Sequence, residues 1–411
     1  MILKKGYKQL FFMENLKQHI RSDVPISEQA INAIIRPPRK VYDDSAIPMT
    51  LKVDNGETFI RYPVTFRNNR DQRIVGSIYH SATHSPMNGG PCVIYLHGNA
   101  SSQLEGQFLV PNICKYGIFV FCFDFCGCGN SDGKYISLGY YEKQDTEFLI
   151  KVLHKMFNMG PFIVWGRSMG AATALLTQSP YLAGRISDSS FTSVRDMCQA
   201  IAHSMNFPSI FVPSVIWYLK KKVLSAANFD FQKVEPISID NSNIPDLMPN
   251  GEVPAVFGHA EQDQFIPYSQ CRRLYEHYAN KSKFIMNLSG GHNSRRDDDW
   301  IRLGVSFILD QLHITVPNIE ICSCRSLQEA TVFHFSDFKD MVNMSVPEKG
   351  DLPSGEIIHE YIQSKDHDQQ NNEEEEVEVE IEENYAGEED SDESDQKARE
   401  KMVLFYNGSN K

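Results

Sequence analysis

Several short runs of bulky apolar residues recur along the chain: PCVIYLHG (91–98), IFVFCFDF (118–125), PFIVWG (161–166), VPAVFGH (253–259) and KFIMNL (283–288). They are too short for buried helices and too continuous for strands that wet one face, so they read as strands covered on both sides. Helical spacing fills the gaps. Residues 141–157 carry Phe148, Leu149, Val152, Leu153 and Met156, and 169–177, 269–278 and 300–312 are patterned similarly. Two earlier strands are expected at Phe59–Phe66 and Arg73–Tyr79, and another in GRISDSS (184–190). Repeated strand–helix units predict an α/β domain with a mainly parallel sheet and helices on both faces.

That rhythm occupies about residues 46–315 and divides the chain. Residues 1–45 read as a helical extension, with patterns at Leu3–Ile20 and Ile26–Ile35 stopped by Pro37 and Pro38. The first mixes Leu3, Tyr7, Leu10 and Phe11 with Lys4, Lys5 and Lys8. It suits packing on the main domain or, as a basic amphipathic segment, peripheral contact with a membrane surface. Residues 194–250 break the alternation with FPSIFVPSVIWYLKKKVL and a polar stretch, and are expected to form a small cap over the site. Residues 316–364 are expected to be partly ordered, and 365–411 to form a disordered acidic tail.

Charge follows the same division. Residues 351–411 hold 20 Asp or Glu against 5 Lys or Arg, a net of −15, while the remaining 33 acids face 35 bases. The folded part is near neutral and shows no basic footprint for nucleic acid, and the tail is open to basic partners. Nine scattered cysteines, an odd count without a C-x-x-C pair, suit reduced thiols and a cytoplasmic protein. The close pairs Cys126/Cys128 and Cys322/Cys324 are weak metal signals, and no metal is expected. The amino terminus lacks the apolar core of a secretory signal, and no run of about 18 apolar residues predicts a membrane span.

The chemistry centres on VWGRSMGAAT (164–173), where Gly166 and Gly170 flank Ser168. A G-x-S-x-G sequence between a strand and a helix presents the serine on a tight turn, with the helix amino terminus directed at developing negative charge. A nucleophilic serine also needs a base, an acid that orients the base, and oxyanion donors. His292 in LSGGHNS follows the last strand and is the expected base; His97 lies before the serine, where this architecture does not use it. In GHAEQDQFIP, Asp263 is the preferred orienting acid and Glu261 the alternative. The oxyanion donors are expected to be the backbone N–H groups of Met169 and Asn99, with Ala100 next.

The pieces LHGNASS, FDFCGCGNSDG, WGRSMGAATAL, GHAEQDQFIP and GGHNS together resemble the α/β-hydrolase superfamily, in the branch of prolyl-aminopeptidase-like, monoacylglycerol-lipase-like and depalmitoylase-like enzymes. That resemblance implies an α/β-hydrolase fold and a serine hydrolase using the order Ser168, Asp263, His292, without cofactor. The glycines and Ser131 of the second piece are expected to shape a turn. Depalmitoylases of this kind carry an amino-terminal cysteine cluster, whereas the first cysteine here is Cys92. An ester or thioester of a small molecule or an acylated protein is the expected substrate. The apolar residues of the cap, Trp217 among them, suit either an acyl chain or packing on the body. An aminopeptidase or amidase, and a non-catalytic scaffold, are the alternatives.

Overall fold

A computed structural model describes residues 34–36, 39–53, 56–204, 207–238 and 253–322, together with Asn32 and the strand segments 360–362, 375–379 and 402–406. The pattern at Leu3–Ile20, the polar half of the cap, and most of 316–364 and of the acidic tail lie outside them. Within the tail, Glu375–Val379 pairs antiparallel with Met402–Tyr406.

The main sheet is built from β1 (Thr50–Lys52), β2 (Thr58–Arg67), β3 (Arg73–Ser81), β4 (Gly90–Leu96), β5 (Phe119–Phe123), β6 (Met159–Arg167), β7 (Leu182–Asp188), β8 (Ala255–Ala260) and β9 (Lys283–Leu288). Its order is β1-β2-β3-β5-β4-β6-β7-β8-β9, with β10 (Glu360–Ile362) parallel to the far side of β2. From β5 to β9 every pairing is parallel, and β1, β2 and β3 extend that edge antiparallel. The expected strands are all present, displaced at their ends by a residue or two.

The continuous apolar runs follow from burial on two faces. In β6, Phe162 and Val164 enter one core while Ile163 and Trp165 enter the other. In β4, Cys92, Ile94 and Leu96 alternate in the same way with Val93 and Tyr95. Because successive strand side chains point to opposite faces, a strand sandwiched between helix layers must be apolar at every position. One layer holds α1 (Tyr140–Phe157), α2 (Met169–Leu176) and the cap helices α3 (Val194–Ser204) and α4 (Val212–Ala227). The other holds α6 (Asp298–Gln311), through Trp300, Ile301, Val305 and Ile308; α5 (Tyr268–His277) packs beside β8.

The cap is more regular than an irregular insertion. The helix α4 buries Val212, Ile216, Leu219 and Val223, an i, i+4, i+7, i+11 stripe, against the first core.

The strand order reverses between β4 and β6: the chain leaves β4 for β5 on one side and returns to β6 on the other. Such a switch point opens a crevice at the carboxyl ends of the two strands. Ser168 follows β6 there, and the HGNASS loop follows β4.

Close approach explains both glycines of the G-x-S-x-G turn. A methyl group on Gly166 would stand 2.0 Å from the Gly170 carbonyl oxygen, and one on Gly170 would stand 1.9 Å from that of Leu96. The helix thus lies directly on the ends of β6 and β4. Gly170→Ala is expected to destabilise the protein by about 3 kcal/mol or more, since backbone rather than a pliable side chain must yield. Urea unfolding checks this; an unchanged midpoint would contradict the close packing.

Candidate active site

Ser168 joins β6 to α2 with φ 52° and ψ −114°, outside the regions that suit a residue with a Cβ. Such a conformation costs on the order of 1–3 kcal/mol and persists only where its surroundings impose it. Here the serine N–H donates to the Asp188 carbonyl at the end of β7, and its carbonyl accepts from Ala172 inside α2. The side chain is thereby held at the helix amino terminus, where unpaired N–H groups favour negative charge.

The loop after β9 brings His292 to this point, with Nε2 2.9 Å from Ser168 Oγ and Nδ1 2.6 Å from Asp263 Oδ2. An ionised carboxylate only accepts hydrogen bonds, so Nδ1 carries the proton and Nε2 accepts from the serine hydroxyl. Asp263 is fixed in turn: its Oδ1 accepts from the backbone N–H groups of Phe265 (2.9 Å) and Ile266 (2.8 Å). Burial pushes its carboxyl up, but hydrogen bonds from His259 and His292 outweigh that and hold it well below the usual carboxylate range. His259, at the end of β8, donates from Nε2 to the Ile266 carbonyl at 2.7 Å and lies 3.3 Å from Asp263 Oδ2. Glu261 is directed elsewhere, accepting from the Asn287 amide on the exposed side of β9.

The loop after β4 forms the opposite wall. Ala100 sits at φ 60°, and the Gly98 N–H donates to Glu105 Oε2 at 3.1 Å. A methyl on Gly98 would stand 3.7 Å from the Arg167 carbonyl, so the loop runs beside the residue that precedes the serine. His97 is buried and ties two loops together. Its Nδ1 donates to the Gly98 carbonyl and its Nε2 accepts from the Phe125 N–H. Ser131 donates to the Asp124 carbonyl and accepts from the Val75 N–H, which shapes the turn after β5. Among the described residues no group of three or more His, Cys, Asp or Glu side chains is arranged to hold a metal ion.

The sequence reading missed a clamp of two arginines that holds the histidine loop. Arg167, adjacent to the serine, donates to the carbonyls of His292 (2.8 Å) and Ser294 (2.9 Å). Arg296 donates to His292, Ser294 and Gly291 carbonyls while pairing both carboxylate oxygens of Asp188 at 2.8 Å. Burial would push the Asp188 carboxyl up, but the Arg296 guanidinium overcomes this and holds it below its ordinary value. Asp188 therefore links the serine backbone to the histidine loop. The available signal was an aspartate ending a buried strand beside the serine strand.

Removing one partner of a buried ion pair leaves the other uncompensated, so Asp188→Asn should cost about 3 kcal/mol near neutral pH. With a folded pKa below the unfolded value of about 3.9, the contribution of Asp188 is present above that value and is lost as pH falls through the folded pKa. The stability gap between the parent protein and the variant, measured by urea unfolding, should therefore shrink on acidification below about pH 4. A gap independent of pH would contradict the pairing.

Comparison with known proteins adds to this picture. A family model described as serine aminopeptidase, S33, matches residues 90–225, about a third of the chain. An uncharacterized Bacillus subtilis protein, YqkD, is 26% identical over 225 residues, covering 52% of this chain and 68% of that one. The zebrafish (Danio rerio) lysophosphatidylserine lipase ABHD12 is 25% identical over 194 residues, covering 45% of this chain and 47% of its own length, so the chain spans about half of that relative. The Pyrococcus furiosus esterase Pf2001 aligns over 68% of this chain and 97% of its own, with a TM-score of 0.47 and 16% identity. With a serine turn at the switch point of a mainly parallel sheet, and a family model that matches the stretch around that turn, the chain has an α/β-hydrolase fold and is similar to that superfamily.

Proposed function

We propose that this hydrolase is a serine hydrolase that cleaves an ester or thioester through an acyl-enzyme intermediate. The observation that carries the reading is the unbroken hydrogen-bond chain from Ser168 through His292 to Asp263. Ser168 Oγ attacks the carbonyl carbon while His292 Nε2 takes its proton, and Asp263 stabilises the imidazolium. The developing oxyanion is taken by the N–H groups of Met169 and Asn99, each such donor being worth about 3 kcal/mol in the transition state. The carbon–oxygen or carbon–sulfur bond then breaks, and His292 returns the proton to the leaving alkoxide or thiolate. Water repeats the cycle with His292 as base and releases the acid.

An ester is favoured over a peptide with a free amino terminus, since an aminopeptidase requires a carboxylate free to receive the ammonium. Among the described residues, the acids beside the serine turn are engaged: Glu105 accepts from Tyr95 and Gly98, and Asp188 is paired with Arg296. Similarity to a protein named a lysophosphatidylserine lipase points the same way.

A fluorophosphonate probe should label the parent protein and fail to label Ser168→Ala. Labelling of both alike overturns the role of Ser168, and labelling of neither overturns the reading and favours a non-catalytic scaffold. Asp263→Asn should fold but lose on the order of 10⁴ in kcat on a p-nitrophenyl ester, because His292 is then held in the wrong tautomer. A loss under about tenfold would assign Asp263 a lesser part.

A further inference from the structure

The cap exposes a surface that the reaction does not use. Nearly all the large apolar side chains exposed among the described residues stand between Phe207 and Leu224; only Val41 and Phe284 stand elsewhere. Ile210 is 80% exposed, and Phe211 and Trp217 are each 57% exposed. They share the outer face of the cap with Val215, Tyr218 and Leu224, opposite the buried stripe of α4. Exposed apolar side chains concentrated in one short segment mark a site of contact with another phase or molecule.

Its charge says which. From Met197 to Phe229 the chain has no Asp or Glu, although the whole protein carries −13, and its charged side chains are the consecutive Lys220, Lys221 and Lys222. Lys220 is paired with Asp230 at 2.7 Å. The ammonium of Lys221 lies 3.9 Å from the ring centre of Trp217, and that of Lys222 lies 5.8 Å from that of Tyr218, both lysines being exposed. Cations are thus held beside aromatic rings on the same short segment that exposes the aliphatic side chains. Exposed aliphatic groups, amphipathic rings and lysines together suit a bilayer surface, with acyl chains for the first, the headgroup level for the rings, and anionic headgroups for the lysines.

We propose that the outer face of the cap, Ile210–Leu224, docks on an anionic lipid bilayer. The cap leaves the carboxyl end of β7, the strand paired with β6 at Arg167↔Asp188, so the docked face and Ser168 rise from the same edge of the sheet. Docking itself depends on the surface residues alone and goes beyond the catalytic reading.

Trp217 reports on it directly. The chain has three tryptophans, and Trp165 and Trp300 are buried. The full chain, as parent and as Ser168→Ala, is mixed with vesicles of phosphatidylcholine alone or with about a third phosphatidylserine, some carrying brominated acyl chains. Both proteins should sediment with the anionic vesicles, at least about tenfold more than with the neutral ones, and the excess should fall with added salt. Brominated chains should quench the fluorescence, and Trp217→Phe should abolish the quenching while the protein still sediments. Ile210→Ser with Phe211→Ser should reduce sedimentation about tenfold, with an unchanged thermal midpoint because both side chains are exposed.

Three results would each overturn the proposal. They are no sedimentation with anionic vesicles, sedimentation without quenching at Trp217, and self-association in solution that the double serine variant breaks, which would make the face an interface between copies. Because Ser168→Ala is included, failure of docking and failure of the catalytic reading are read separately.

Discussion

The backbone of Ser168 cannot relax, and much of the structure follows from that. Its left-handed turn requires α2 to start on top of β6 and to lie against the end of β4, and Gly166 and Gly170 permit that contact. With the helix in place, its first turn and the loop carrying Asn99 follow neighbouring strands on either side of the switch point of the sheet. The serine hydroxyl is consequently offered outward from a rigid layer, while the strain is sustained by two buried cores. A side chain held this way loses little freedom on meeting a substrate, which is the general benefit of a preorganised site.

Two depressed carboxylates divide the remaining task. Asp263 fixes the proton of His292 on Nδ1, and Asp188 fixes the loop from which His292 projects. Both stay ionised through the neutral range for one reason: burial is outweighed by directed donors, histidine and backbone N–H for Asp263 and arginine for Asp188. Asp124 shows the reverse balance. It accepts from Tyr42, Gln103 and Asn130, yet its burial prevails and its carboxyl is pushed up. The contrast separates a carboxylate that anchors charge at the site from one that organises loops behind it.

Much of this was legible in the sequence because it is local or periodic. Strands buried on both faces write themselves as unbroken apolar runs, and the serine turn is set by neighbours within a few residues. Asp263 and His292 were legible as residues just past named strands. Position past the strand end preferred Asp263 to Glu261, and in the fold Asp263 meets His292 while Glu261 meets Asn287. The arginines of the clamp left no pattern beyond an aspartate ending a buried strand, since Arg167 meets the histidine loop, and Arg296 meets Asp188, across more than a hundred residues. In the cap, Trp217 suited an acyl chain or packing on the body, and the fold turns it outward, because the α4 stripe that reaches the core is Val212, Ile216, Leu219 and Val223.

The central claim is that Ser168 carries the acyl group during turnover. Rapid mixing with excess p-nitrophenyl butyrate, followed by acid quench and peptide mapping, tests it most directly. The account predicts a burst of about one p-nitrophenolate per chain and a butyryl ester on the peptide containing Ser168. Turnover with the acyl group on a different residue, or on none, would contradict it.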